Sequence, residues 1–352
     1  MAVFLLVTGV SVGGALTAPG TDTTAARLAE WARTHGLGAV VTYLETEQYQ
    51  LSKPKVGGTV AGGIPKVSRG VVPPAHTRGL VRPTDLRPVV APSIPGEGVW
   101  QPLLQAHGQT AAWVTFLRPD ALHTSYVVSV VWMNPKLLRF VQHPGYQVPG
   151  DPLTGPDQLT AAERSNVLAT FNSGFQMVDA EGGYWQNGTT VAPLVRGAAS
   201  MVVSRAGEFT VERWPGGQPG AGTAAVRQNL SLLIDHGVVS PLVYSASTRA
   251  WGKTVGNAAY VWRSAVATRA DGADLFVVGP AMSVSTLAGV LQAAGATEAM
   301  ELDINRDWTN FITYTHPGPG VAQPHKLTSD MRPNSYRYLN PSTRDFVAVL
   351  PR

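Results

Sequence analysis

The chain has 352 residues, of which 44% are hydrophobic and 14% charged, a balance that excludes an intrinsically disordered protein. The net charge of +4 and the pI near 9.4 would suit an anionic partner, but the basic residues are scattered, so nucleic-acid binding is not expected. Without cysteines the chain forms no disulfides and no zinc-thiolate sites.

An almost wholly apolar run extends from Ala2 to Leu16 and leads into Thr17-Ala18-Pro19-Gly20. Such a run is typical of the hydrophobic region of a signal peptide or the outer part of a membrane anchor, although a positively charged leader is missing. A short buried helix or strand is the alternative. We therefore expect residues 1–20 to direct the protein out of the cytoplasm, as a secreted or a membrane-anchored protein.

Residues 21–96 predict a helix followed by a stem. Leu28, Trp31 and Ala32 share one face of an amphipathic helix, and Gly36 ends it. After residue 50, Pro, Gly and basic residues replace the periodic pattern, which is typical of a linker.

Residues 97–352 are expected to form a single domain large enough for an enzyme. Strand composition recurs at 110–117, 125–132, 168–173, 200–203, 209–214 and 232–234, and a short helix is predicted at 157–167. This mixture predicts an α+β fold, in which central strands are flanked by helices.

The last third of the chain carries the clearest signals. Strands at 265–269 and 275–278 flank a turn that contains Asp-Gly, which predicts a hairpin. A helix over 285–294, capped by Ser283 or Ser285 and ended by Gly295, then leads into another strand.

That strand begins at Met300, where apolar and polar residues alternate through Asn305. In an extended strand successive side chains point to opposite faces, so Glu301, Asp303 and Asn305 should share one face. Carboxylates that lie close together have perturbed pKa values and can divide acid and base roles between them. A structural role for Asp303, and a surface pair of Glu301 with an arginine, are the alternatives.

Three segments in this order resemble the phosphodiester glycosidase family. Residues 171–175, Phe-Asn-Ser-Gly-Phe, are similar to that family's Asn-Gly-Gly-Phe-Phe element, and 263–267, Arg-Ser-Ala-Val-Ala, to its Arg-Thr-Ala-Ile-Gly element. Residues 302–303, Leu-Asp, stand where the family has Leu-Asp-Gly-Gly-Gly-Ser. The resemblance extends over residues 97–352, but Ile-Asn-Arg-Asp at 304–307 replaces the flexible glycines, so the substrate geometry is expected to differ.

The resemblance implies cleavage of a sugar-1-phosphodiester at the anomeric carbon. A carboxylate would stabilise the oxocarbenium-like transition state or activate water, and an arginine would hold the departing phosphate. It implies Asp303 as the principal carboxylate, Glu301 as its acid/base partner and Arg263 as the phosphate ligand. Asn172 would then bind the sugar, although without the resemblance it is an ordinary turn residue.

Further substrate-binding candidates are neighbours of these residues or follow a turn. They are Ser173, Gly174, Arg196, Asn305 and Trp308. A solvated strand-end arginine is the alternative for Arg196, and core packing is the alternative for Trp308.

We thus expect a bacterial hydrolase of an envelope or extracellular glycopolymer that needs no cofactor and binds no nucleic acid. The N-terminus would provide possible membrane anchoring. Two other functions stay open. One is a catalytically silent glycopolymer-binding protein; the other is a metal-assisted phosphodiesterase with a divalent cation on Glu301, Asp303 and Asp307.

Overall fold

The computed structural model describes residues 2–67, 80–245, 250–252 and 260–352. The α-helices in these ranges are α1 (Ala2–Thr17), α2 (Thr24–Ala32), α3 (Gly38–Leu51), α4 (Ala161–Arg164) and α5 (Val284–Ala293). Within the described ranges, no helix combines the length and the apolar character that a membrane span requires.

The helix predicted near Leu28 is present, and so is its break. A π-helical turn over Arg33–Leu37 separates α2 from α3, and Gly36 has a φ of 82° there, which glycine adopts at little cost. The helix predicted at 157–167 is only the four residues of α4. The first residues of the predicted segment form backbone hydrogen bonds outside a helix, because the Leu159 amide donates to the Tyr338 carbonyl and the Ser342 amide donates to the Asp157 carbonyl.

The strands in chain order are β1 (Gln101–Ala106), β2 (Gln109–Leu117), β3 (Val128–Met133), β4 (Leu138–His143), β5 (Ala169–Asn172), β6 (Tyr184–Gln186), β7 (Thr189–Ala192), β8 (Ala199–Ser204) and β9 (Phe209–Arg213). They continue as β10 (Thr223–Gln228), β11 (Leu232–Asp235), β12 (Val238–Val239), β13 (Val261–Arg269), β14 (Asp274–Met282), β15 (Ala296–Glu301), β16 (Phe311–Gly318), β17 (Val321–Lys326) and β18 (Phe346–Pro351).

These strands form three sheets in which neighbours run antiparallel. The largest has eight strands in the order β1-β2-β3-β14-β13-β15-β11-β12. One five-stranded sheet has the order β7-β6-β10-β8-β9 and the other β17-β16-β5-β18-β4. The described residues thus combine antiparallel sheets with few helices, which agrees with the predicted α+β class.

The eight-stranded sheet is buried on both faces. Val266, Phe276 and Met300 contact a core to which all three sheets contribute. On the opposite face, Leu287 and Leu291 of α5 cover the sheet. Ser283 caps α5, and Gly295 follows it with a φ of 81°, as predicted. This helix therefore fixes the position at which β15, the strand that ends with Glu301, begins.

The prediction that this strand continues through Asn305 is wrong. β15 ends at Glu301, and the Asp303 side chain accepts a hydrogen bond from the Asn305 amide at 2.8 Å. Such a local side-chain bond competes with strand pairing and turns the backbone. Ile304 consequently packs against the α5 side of the sheet, whereas Met300 and Leu302 lie in the opposite core.

Candidate functional site

The predicted motif residues meet where the eight-stranded sheet adjoins the sheet that contains β5. Asn172 ends β5, and its amide nitrogen donates to the Ser264 hydroxyl at 2.9 Å. That hydroxyl donates to the Asp303 carbonyl at 2.8 Å, and the Asn310 amide donates to the Asn172 side-chain oxygen at 3.0 Å. Asn172 therefore fixes the backbone around Asp303, and both of its side-chain polar atoms have protein partners.

Asp303 is a buried carboxylate beside a cation. Its Oδ2 lies 3.8 Å from Nη1 of Arg344, and its Oδ1 accepts the Asn305 amide. Burial raises the pKa of Asp303 to about 6, while Arg344 and the Asn305 amide lower it and the nearby Glu30 carboxylate raises it. The carboxylate is thus ionised at neutral pH and can take up a proton within about one pH unit of neutrality.

Glu301 is fully buried and paired with Arg263. Its Oε1 accepts from Nη1 of Arg263 at 2.6 Å, whereas its Oε2 has no hydrogen-bond partner among the described residues. Burial raises the pKa of Glu301 to about 7 against the lowering effect of Arg263, and Asp303 raises it further. Because Arg263 is itself fully buried and also donates to the Met282 carbonyl at 2.9 Å, its position suits holding Glu301 more than reaching a ligand.

Ser173 and Gly174 support the same turn. The Ser173 carbonyl accepts a hydrogen bond from the Asp303 amide at 3.3 Å. The buried hydroxyl of Ser173 has no hydrogen-bond partner in the described part of the chain. A Cβ on Gly174 would lie 3.0 Å from Oδ1 of Asn229 and 3.1 Å from Cζ of Arg227. A Cβ at this position would therefore displace the Asn229 or Arg227 side chain by a few tenths of an ångström.

The other three candidates lie in different surroundings. Asn305 accepts a hydrogen bond from the Asp307 amide at 2.9 Å and borders a cavity of about 420 Å³. Trp308 is buried next to the guanidinium groups of Arg337 and Arg344. Arg196 is exposed and lies against Gly216, and none of the described hydrogen bonds connects it with Asp303.

Sequence reasoning identified Arg263 but not the buried residues Arg227, Arg337 and Arg344. Arg227 and Asp345 are both fully buried and form an ion pair of 2.8 Å. Arg344 and Asp345 stand directly before the apolar strand β18. Neither this pair nor Arg337 has a local sequence signal of burial.

The carboxylates suggested as cation ligands do not form a cluster. Asp307 pairs with Arg332 at 2.8 Å, and Glu301 with Arg263. Within the described residues, the group of three with the spacing of metal ligands is Asp235, His236 and Glu298. It lies at the end of β11 and in β15, on another part of the sheet.

Comparisons with known proteins give structural likeness only. No family model and no curated protein matches the chain.

The catalytic domain of zebrafish N-acetylglucosamine-1-phosphodiester alpha-N-acetylglucosaminidase, described as auto-inhibited by its pro-peptide, is similar at 13% identity over 76% of this chain and 87% of its own, with a TM-score of 0.44. A hypothetical protein from Synechocystis is similar at 13% identity over 70% of this chain and 63% of its own, with a TM-score of 0.38. A Burkholderia pseudomallei protein shows 14% identity over 64% of this chain and 74% of its own, with a TM-score of 0.31. Scores this low carry no argument about activity.

Proposed function

We propose that this protein is a hydrolase that cleaves a sugar-1-phosphodiester between the anomeric carbon and the phosphate oxygen. The observation that carries the proposal is the buried pair of the Asp303 carboxylate and the Arg344 guanidinium, whose charged atoms are 3.8 Å apart. A glycosyl phosphate needs an anion near its sugar and a cation near its phosphate, and this pair provides both.

In the proposed reaction the bond between the anomeric carbon and the phosphate oxygen breaks, and the phosphate leaves with the electron pair. Because a phosphodiester is a good leaving group, little acid assistance is needed. Asp303 stabilises the positive charge that develops on the sugar and takes the proton of the attacking water. Glu301, held by Arg263, would be its acid/base partner.

The setting of the reaction is also part of the proposal. The apolar run from Ala2 to Leu16 supports export or anchoring, and the sequence resemblance supports a carbohydrate phosphodiester as substrate. We therefore propose a phosphodiester of a bacterial envelope or extracellular glycopolymer, cleaved outside the cytoplasm.

The test is hydrolysis of defined sugar-1-phosphodiesters in ¹⁸O-labelled water by the full chain and by Asp303→Asn. We expect free reducing sugar, an unlabelled phosphomonoester, and a loss of turnover in the variant of roughly 100-fold or more. Asp271→Asn, which changes an exposed carboxylate of the hairpin between β13 and β14, is the matched control. Undiminished turnover by Asp303→Asn would refute the role of this carboxylate.

The same assay separates the other two functions. Label in the phosphate, a sugar phosphate product and sensitivity to chelators would indicate a metal-assisted phosphodiesterase. Binding of the glycopolymer without release of sugar would indicate a catalytically silent binding protein.

A further inference from the structure

Two buried guanidinium groups share one aromatic ring. Cζ of Arg337 lies 4.4 Å and Cζ of Arg344 lies 4.5 Å from the centroid of the Trp308 ring, and all three residues are buried. The ring attracts each cation, but the cations repel one another because both lie so close to one point. Anions nearby are therefore needed to stabilise them.

Besides Asp303, which lies 3.8 Å from Arg344, the anions that contact these arginines come from the N-terminal segment that contains α2. Asp22 binds Arg337, and its second oxygen accepts from the Thr343 hydroxyl. Glu30 binds Nη2 of Arg344 at 2.7 Å. More than 300 residues separate each carboxylate from its arginine, so the domain obtains these anions from a remote part of the chain.

The carboxylates leave part of the donor capacity of the arginines unused. Nε and Nη1 of Arg344 and Nε of Arg337 are buried and have no hydrogen-bond partner within the described ranges. Buried donors of this kind normally find acceptors. A phosphodiester shares one negative charge between two non-bridging oxygens, so it can accept hydrogen bonds from both guanidinium groups, and its geometry suits their forked donors.

A cavity lies beside Arg337, whereas Arg344 is not part of its lining. Its volume is about 550 Å³, and its lining includes the cations Lys326, Arg332 and Arg337 beside the carboxylates of Asp22 and Asp307. The cavity thus has room for a group bonded to a phosphate that Arg337 holds.

We propose that Arg337 and Arg344 form the subsite for the phosphodiester group, and that Asp22 and Glu30 occupy this subsite until substrate displaces them. The identity of the ligand as a substrate rests on the proposed function, whereas the binding of an anion does not. Arg344 would then hold the phosphate next to Asp303, and Arg337 would hold it on the side of the cavity. This assigns to Arg337 and Arg344 the role that the sequence suggested for Arg263.

The test is titration of the full chain with inorganic phosphate at pH 8, where Asp303 is ionised whether or not Glu30 raises its pKa. In the double variant Asp22→Asn/Glu30→Gln we expect the Kd for phosphate to fall at least tenfold, because the competing carboxylates have gone. A gain in affinity cannot result from misfolding. Glu45→Gln, which removes an α3 carboxylate that pairs with Arg33, is the matched control and should leave the Kd unchanged.

Two more measurements complete the design. Adding Arg337→Lys to the double variant should cancel most of the gain in phosphate affinity, since lysine lacks the forked donors. In turnover of a sugar-1-phosphodiester, the double variant should have a lower KM. An unchanged Kd in the double variant would overturn the subsite even if turnover is found. A tighter Kd without any turnover would leave the subsite standing and overturn the proposed function.

Discussion

Replacing Asp303 by Asn should stabilise the protein while it destroys activity. Burial raises the pKa of this carboxyl from 3.8 to about 6, and at about 1.36 kcal/mol for each pKa unit the ionised form destabilises the folded state by up to about 3 kcal/mol. Asparagine avoids this cost and retains an oxygen for the Asn305 amide. For a chain of this size, the gain corresponds to a rise in Tm of roughly 3–6 °C.

The dependence of this effect on pH follows from the direction of the shift. Because the folded-state pKa is raised, the folded protein binds the additional proton between pH 3.8 and about 6, and the destabilisation is complete only above this window. Thermal unfolding of both proteins should therefore show the difference at pH 8 and almost none at pH 4. Asp330→Asn, which changes an exposed carboxylate, serves as the control. A variant that is less stable than the parent at pH 8 would show that Arg344 offsets the burial of Asp303, and would refute the reasoning.

Three other predictions concern the same site. Glu301→Met should lower the free energy of unfolding by about 3–5 kcal/mol, because it removes the carboxylate that accepts a hydrogen bond from the buried Arg263; urea denaturation measures this, and a double variant with Arg263→Met should recover most of the loss. Gly174→Ala should cost about 1–3 kcal/mol, because the new Cβ would meet the Asn229 side chain at 3.0 Å; an unchanged urea midpoint would contradict the close packing. As the pH increases, the kcat/KM for a sugar-1-phosphodiester should rise about tenfold per pH unit up to pH 6 and then level off. The reason is that Asp303 acts as the carboxylate and its pKa is about 6. A kcat/KM that increases as the pH falls would exclude this role.

Local signals were enough to predict the elements that lead to the site. The cap of α5, its terminal glycine and the hairpin before it each depend on residues close in sequence, and the structure confirms them. The alternation after Met300 predicted correctly only that Met300 and Leu302 share a core, and the polar residue between them, Glu301, is fully buried as well. Beyond Leu302 the side chain of Asp303 bonds the backbone two residues ahead, and periodicity contains no information on such a bond.

The charges of the site were harder to predict. Arg263 and Glu301 are partners because β13 and β15 are adjacent in the sheet, which the sequence does not state. Arg344 reaches Glu30 across more than 300 residues. Such ion pairs depend on how the sheets and the N-terminal segment pack, so no local pattern identifies them.

The position of β18 has a consequence for how the site assembles during synthesis. β18 lies between β5 and β4 in its sheet, and its first residue, Phe346, is paired with Asn172 at the end of β5. Translation reaches β5 more than 170 residues before it reaches β18, and pairings this remote form slowly. Asn172 therefore has no strand neighbour on that side until β18 has left the ribosome. A nascent chain that already contains Asp303 still lacks the strand that pairs with Asn172.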